Sequence, residues 1–302
     1  MIDLHVHTNC SDGDYSPREL VNLAASRGIE TISITDHDTI MAYNGDIFKT
    51  ALNKGIQLIP GIELSTVDEL SEEKIHVVGL NIDLENNKLL SICKELCQSR
   101  CESVIKTEKI LLSLGFNLRT RKLLDMGSLI TKFHIGHDVV SNPENYEKLI
   151  EVYNKIPLHS AFIEDYLIKG KPAFIKPENK LFTSKAVDII KQIGGVAICA
   201  HPSFNVMHGF EFKSMKELIV RNKFDGVESI NIQYNKNKGD VRFDMVNEFT
   251  DFANERGLLI SGGSDYHSDN IDLWGNHSDI GLSNEEYQVD KLIVDNILSF
   301  RR

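Results

Sequence analysis

Apolar and polar residues alternate at the start of the chain. Ile2, Leu4 and Val6 are interleaved with Asp3, His5 and His7, a period of two that predicts a strand. The period then changes. In SPREL, Ser16 is a good N-cap, Pro17 suits the first helical position and Glu19 completes a capping box. A helix is expected to about Arg27, with Gly28 just past its end. ETISITDHDT reads as a second strand that ends in acid and histidine, followed by a helix to about Lys54. QLIPGIELS is the third strand and KIHVVGLN the fourth. Short strands alternating with helices predict a parallel α/β arrangement.

The rhythm breaks between residues 84 and 177. NNKLLSICKELCQSRCESVIKTEKILLSLG, a stretch around Leu123–Val140, ENYEKLIEVYNKI and AFIEDYLIKG all read as helices. A helical insertion at 84–177 is expected, with 1–83 and 178–302 forming the α/β part. The pattern resumes with the helix SKAVDIIKQIGG and the strands VAICAHP and FDGVESI. A long helix to Arg256 and a last strand LLISGGSDYH follow. Seven strands are predicted, with no internal repeat.

Composition adds limits. A chain of 302 residues, 41% hydrophobic and 25% charged, is ample for a full core. No apolar run approaches the ~20 residues that span a bilayer. The first strand starts at Ile2, which leaves no room for a signal peptide, so a cytoplasmic protein without a membrane partner is expected. The five cysteines lack a C-x-x-C pair, so neither a disulfide framework nor a zinc knuckle is suggested. Cys93, Cys97 and Cys101 read as a half-buried helix stripe. A net charge of -11 argues against a stable nucleic-acid partner. It leaves room for a small anionic substrate, because divalent cations supply positive charge that the count omits.

The polar residues gather at predicted strand ends. His5 and His7 end the first strand, Asp36 and His37 the second, Glu63 the third; His76 lies in the fourth, His201 ends the fifth, and Asp265 and His267 end the last. In a (β/α) barrel the C-terminal strand ends converge on one mouth, where active sites lie. Residues i and i+2 of a strand share a face, so His5 with His7, and Asp265 with His267, form two pairs able to approach one cation. Nitrogen and carboxylate donors suit Zn, Mn or Fe. With Asp12, Glu63, His37, His76 and His201 the candidates number nine, more than one ion accepts. Burying so many polar groups unpaired would be expensive. For His134, His137, His159, His208 and His277 an ordinary hydrogen-bonded role is the simpler reading.

The motifs DLHVHTNCSDG, TDHDT, PGIELS, HVVGL, AHP and GSDYH, in this order between residues 2 and 267, resemble the PHP (polymerase and histidinol phosphatase) family. Within it the chain is similar to the stand-alone phosphoesterases of the TrpH type. The resemblance implies a distorted seven-stranded (β/α) barrel with a helical cap insertion and two or three divalent ions. Carried over residue by residue, His5, His7, Glu63 and Asp265 match the first-metal ligands. Glu63 would bridge to a second ion also held by His76 and His201, and Asp12, His37 and His267 match a third site. Asp36 is expected to orient an imidazole, and Asp3 to give support from deeper in the barrel. In the cap, Arg100 sits where the family carries a substrate-contacting arginine. SLITKFHIGHDVV matches a stretch that usually reads arginine and then histidine; here Lys132 and His134 stand there. Lysine is a point charge where arginine offers a bidentate fork, so the substrate geometry is expected to differ.

The implied reaction is hydrolysis of a small phosphate monoester by attack of a metal-bridging hydroxide. The substrate expected is a nucleotide, through 5′-nucleotidase or 3′,5′-bisphosphate nucleotide phosphatase action. Arg100, Lys132 and His134 would grip the phosphate. His134 or His201 would protonate the leaving oxygen, His134 being preferred because a metal-bound His201 is a poor acid. The alternatives are a histidinol-phosphate phosphatase and an amidohydrolase-like metal hydrolase. The latter often carries a lysine on a middle strand end, where this chain has none. Phe133, Tyr234 and Tyr266 are candidates for stacking on a base.

Overall fold

Strand β1 (Ile2–Val6) is buried at all positions. One face sends Ile2, Leu4 and Val6 into apolar clusters; the other commits Asp3 and His5 to hydrogen bonds. That is why its alternating pattern reads so clearly. The computed structural model describes residues 1–175, 180–235, 241–270, 277–282 and 285–301.

The strands β1, β2 (Thr31–Ile34), β3 (Gln57–Val67), β4 (Lys74–Leu80), β5 (Val196–Cys199), β6 (Gly226–Ile230) and a last strand Leu259–Gly262 form one curled sheet in that order. A parallel bridge pairs Val6 with Tyr266, and the Asp265 amide donates to the His5 carbonyl at 2.9 Å, so the two edges meet. This is a distorted seven-stranded α/β barrel.

The sheet is not all parallel. β4 runs antiparallel to both β3 and β5. The chain passes from Val67 to Lys74 through a short turn, and a parallel partner would need a crossover of a dozen residues or more. Asp68 organises that turn. It accepts from the Ser71 amide at 2.9 Å and from Arg221 at 2.7 Å through both carboxylate oxygens.

Helices cover the outside. α1 (Pro17–Ser26) starts with the predicted capping box of Ser16 and Glu19, and α2 (Ile47–Asn53) follows β2. The core between them and the sheet holds Leu20, Val21, Ile32, Ile34 and Ile47. The other side packs Leu80, Val196, Ile198, Val294 and Ile297.

The chain divides into two compact units, Met1–Ile92 with Lys180–Arg302, and Cys93–Asn179. The boundary expected between residues 177 and 178 lies outside the described residues. The second unit is helical: most of α3 (Asn87–Ser113), α4 (Thr120–Leu124), α5 (Lys132–Ser141), α6 (Tyr146–Tyr153) and α7 (His159–Phe162). Its core is built on Leu111, Phe116, Val139, Leu149 and Phe162, with Phe116 and Phe162 edge to face at 5.2 Å. Of the cysteine stripe, Cys93 and Cys101 are half-buried but Cys97 is exposed.

In the first unit, α8 (Thr183–Gln192) precedes β5, and α9 (Pro202–Met207) follows it. α10 (Phe212–Arg221) precedes β6; a hairpin of β7 (Gln233–Asn235) and β8 (Val241–Phe243) follows it. After α11 (Val246–Arg256) and the last sheet strand, here β9, the C-terminal helix α12 (Lys291–Ser299) buries Val294 and Ile297. α9 was not anticipated, nor were α10, the hairpin strands β7 and β8, or the C-terminal helix. No helix among the described residues is long and apolar enough to cross a membrane.

Candidate metal centre

One end of the sheet, where the parallel strands finish and the antiparallel β4 begins, brings the nine acidic and histidine side chains together. His5 and His7 leave β1 with their Nε2 atoms 3.2 Å apart. The chain then turns back over them. The Ser11 and Gly13 amides both donate to the Thr8 carbonyl, at 3.1 and 2.9 Å. A Cβ on Gly13 would lie 2.5 Å from the His7 carbonyl oxygen, so only glycine allows so tight a return. Asp12 is thereby carried to 3.8 Å from His7, 3.8 Å from His37 and 3.5 Å from His267.

Glu63, fully buried on β3, lies at the middle. Its Oε1 is 2.8 Å from His76 Nδ1, 3.0 Å from His201 Nε2 and 3.5 Å from His5 Nε2. Its Oε2 is 2.8 Å from His37 Nδ1 and 3.4 Å from His7 Nε2. Asp265 Oδ1 is 3.1 Å from His7 and 3.4 Å from His5. Three sets have donor atoms all within 4.8 Å of one another: His7, Asp12, His37 and His267; His5, His7, Glu63 and Asp265; and His37, Glu63 and His76. His201 stands beside the third set, 3.2 Å from His76.

The donor set fits cations. Among the described residues, Asp12 Oδ1, His37 Nδ1 and Glu63 Oε2 are buried without a well-formed hydrogen bond although they face donors or acceptors of the cluster at short range, and so are His76 Nε2 and His201 Nδ1, the ring nitrogens opposite those that face Glu63. An unsatisfied buried polar atom costs about 1–3 kcal/mol, and lone pairs converging on one another are what a divalent ion satisfies.

The buried groups set one another's charge. Burial, with the neighbouring His267, pushes the His7 imidazole down to about 3, so it is a neutral donor. Burial would raise Glu63 and Asp265. The charges of His37, His76 and His5 on the first, and of His5 on the second, hold both well below the usual carboxylate range. For His267, burial lowers the pKa, but the Asp12 hydrogen bond and the Asp265 charge outweigh it and raise it to about 9.

Supporting side chains fix these donors. Glu228 on β6 accepts from His5 Nδ1 at 2.9 Å and from the His201 amide at 2.7 Å. With its Nδ1 proton so held, His5 turns Nε2 toward Glu63 and Asp265. Sequence reasoning missed Glu228; its only signal was an acid in the otherwise apolar FDGVESI. Asp36 reaches an imidazole only at one remove, through the Ser11 hydroxyl 3.5 Å from His7 Nδ1. It accepts from the Thr8 amide and from the Thr8 and Ser11 hydroxyls at 2.6–2.7 Å, so it clamps the returning loop, and no imidazole donates to it among the described residues. Asp3 accepts from the Ser264 and Gly281 amides at 3.0 and 2.7 Å and ties β1 to the chain beyond β9. Asp38, His201 and Asp265 have φ of 51°, 26° and 57°. Such non-glycine backbone costs energy and gathers at functional sites.

Of the remaining candidates, Arg100, Lys132, Phe133 and His134 lie on the helical unit and are described there alone, while Tyr234 and Tyr266 belong to the first unit. Arg100 is on α3. Lys132 opens α5, with Nζ 5.2 Å from the Phe174 ring centre. His134 Nδ1 accepts from the Thr131 amide at 3.1 Å in the cap of α5, which leaves Nε2 to carry the proton. Phe133 packs against His134, His137 and His159 with ring centres 4.7–5.7 Å away. Tyr266 cannot stack on a base, being 1% exposed. Tyr234 donates its hydroxyl to Glu285 at 2.5 Å.

A family model described as PHP domain matches residues 3–223. A Haemophilus influenzae protein named 5'-3' exoribonuclease is 30% identical over 277 residues, covering 88% of this chain and 89% of that one. A Chromobacterium violaceum protein named 3',5'-nucleoside bisphosphate phosphatase is 27% identical over 271 residues, covering 88% and 87%. A solved structure from Bifidobacterium adolescentis, described as a metal-dependent phosphoesterase, has a TM-score of 0.74 at 22% identity, covering 98% of this chain and 95% of that one; this likeness is one of fold. The chain belongs to the PHP domain family and is a metal-dependent hydrolase.

Proposed function

We propose that the protein is a phosphoesterase that hydrolyses a phosphate ester of a nucleotide, and that His5, His7, Asp12, His37, Glu63, His76, His201, Asp265 and His267 hold two or three divalent ions, Mn, Zn or Fe. The observation that carries this reading is the convergence of these side chains with five of their buried polar atoms left without a well-formed hydrogen bond among the described residues. Divalent ions bound there would neutralise phosphoryl oxygens and lower the pKa of water toward neutrality. The chain's own residues do the rest. Glu228 fixes the face that His5 presents, Asp36 holds the loop that carries Asp12, and His201 is committed to Glu63 and so is not the proton donor. Arg100, Lys132 and His134 are assigned to the substrate phosphate. Nδ1 of His134 accepts from the Thr131 amide, so the ring is neutral and its Nε2–H is assigned a hydrogen bond to the leaving oxygen, which takes its proton from water.

The relative named 3',5'-nucleoside bisphosphate phosphatase supports a small bisphosphorylated nucleotide as substrate. A second reading, a 5′-to-3′ exoribonuclease acting on short RNA, is favoured by the relatives of that name at 29–30% identity. The net charge of -11 weighs toward the smaller substrate, since grip on a long polyanion is electrostatic. Metal-loaded protein should be assayed against adenosine 3′,5′-bisphosphate, 5′-phosphorylated oligoribonucleotides, histidinol phosphate and a panel of amides. Phosphate release from the bisphosphate supports the first reading, and stepwise mononucleotide release the second. Turnover of the amides alone overturns both.

A further inference from the structure

His277 lies outside the nine residues, yet it is built like one of them. Its Nδ1 is 2.8 Å from the Ser278 carbonyl oxygen. A carbonyl only accepts, so Nδ1 carries the proton and Nε2 is left as a lone pair. That Nε2 is buried and has no hydrogen-bond partner among the described residues. His267 has the same construction, with Nδ1 2.7 Å from the Asp265 carbonyl oxygen. The two rings are 5.7 Å apart and tilted by 33°. Ring separations at the centre itself run from 4.1 Å for His7 and His267 to 6.4 Å for His37 and His267, so His277 stands at the spacing of a member.

Its position is also prearranged. The backbone at His277 bridges to Gln233. The adjoining Ser278 donates its hydroxyl to Glu285 at 3.0 Å, and the ring packs against Tyr266 at 5.6 Å. His277 is nevertheless not in any set of donor atoms within 4.8 Å of one another. A buried acceptor beside the ligand His267, with no donor among the described residues, calls for a donor from outside them.

We propose that His277 is a positioning residue of the metal centre: its Nε2 accepts a hydrogen bond from a water molecule on the Asp12 and His267 side and so steadies the ion gathered there. This rests on the metal reading given above. Partners of this kind, acting behind the ligands, typically contribute 10–100-fold to metal affinity.

Two substitutions separate this role from packing. His277→Gln keeps an acceptor near the Nε2 position and loses the donor to Ser278. His277→Asn keeps that donor and loses the acceptor. Manganese affinity is measured by chelator competition, bound ions are counted by elemental analysis, and folding is checked by thermal unfolding. His277→Asn is expected to bind its weakest manganese ion about 10-fold less tightly than the natural protein, and His277→Gln to stay close to it. Affinities unchanged in both, or a larger loss in His277→Gln, would overturn the inference while leaving the metal centre intact. Natural protein that binds no manganese at all would overturn the reading of the centre, and this inference with it.

Discussion

At the scale of single residues, the centre depends on carboxylates that hold imidazoles in one orientation. Glu228 is the clearest case, because it touches both the His5 ring and the His201 backbone. Glu228→Gln retains the shape but loses the charge that favours a donor on His5 Nδ1. Metal affinity is expected to fall about 10-fold or more with the fold retained; unchanged affinity by chelator competition would contradict the assigned role. Asp68 tests the fold away from the centre. Burial raises its pKa, but the Ser71 amide, Asn222 and Arg221 outweigh this and hold it at about 2, against an ordinary 3.8. A depressed carboxylate stabilises the fold above the unfolded pKa and loses that contribution as pH falls through the folded one. The shift corresponds to about 2 kcal/mol. Asp68→Asn should therefore be about 2 kcal/mol less stable in urea at pH 7, with the gap narrowing between pH 4 and 2; a gap independent of pH would count against it.

Eight of the nine residues were legible because each is a polar group in or just past a strand that should be buried and apolar; Asp12 stands on the loop after β1 and was legible only from its motif. Glu228 broke the same rule, but it stood alone in its strand and matched no motif. The partners of Asp36 were hidden for another reason. Sequence places it beside His37, whereas its partners Thr8 and Ser11 come from a different loop.

At the scale of elements, the strands were legible and their directions were not. Periodicity says that a strand is half-buried; only the length of the connection says which way the next one runs. The turn from Val67 to Lys74 therefore reverses β4, although KIHVVGL itself looks like any parallel strand. The hairpin of β7 and β8 escaped notice because three-residue strands show no period. By contrast α10 buries Met215, Leu218 and Ile219 at helical spacing, a pattern present in the sequence and overlooked. The seam between β1 and β9 is the most demanding joint. A Cβ on Gly263 would lie 2.4 Å from His5 Cβ and 2.6 Å from its amide nitrogen. Gly263→Ala should cost about 1–3 kcal/mol and displace His5, lowering stability and metal content together; a variant with full metal content and natural stability would show the seam to be looser than described.

At the scale of the whole molecule, the sheet order fixes the chemistry. Bringing the first and last strands of a seven-stranded sheet together sets His5 and His7 against Asp265 and His267 from the far end of the chain. Family membership was legible from six short motifs because their order and strand-end positions are mutually constrained. The substrate was not, since no pattern in the helical segment names a base or a sugar, and Lys132 replaces the arginine expected there. The central claim is that hydrolysis of a nucleotide phosphate depends on ions held by these nine residues. The most direct test is to strip the protein with a chelator, assay phosphate release from adenosine 3′,5′-bisphosphate, then add manganese or zinc while counting bound ions. Turnover should vanish on stripping and return as two or three ions rebind, and it should not return in His7→Ala. Phosphate release that persists in stripped protein, or that returns in His7→Ala with a full complement of ions, would contradict the account.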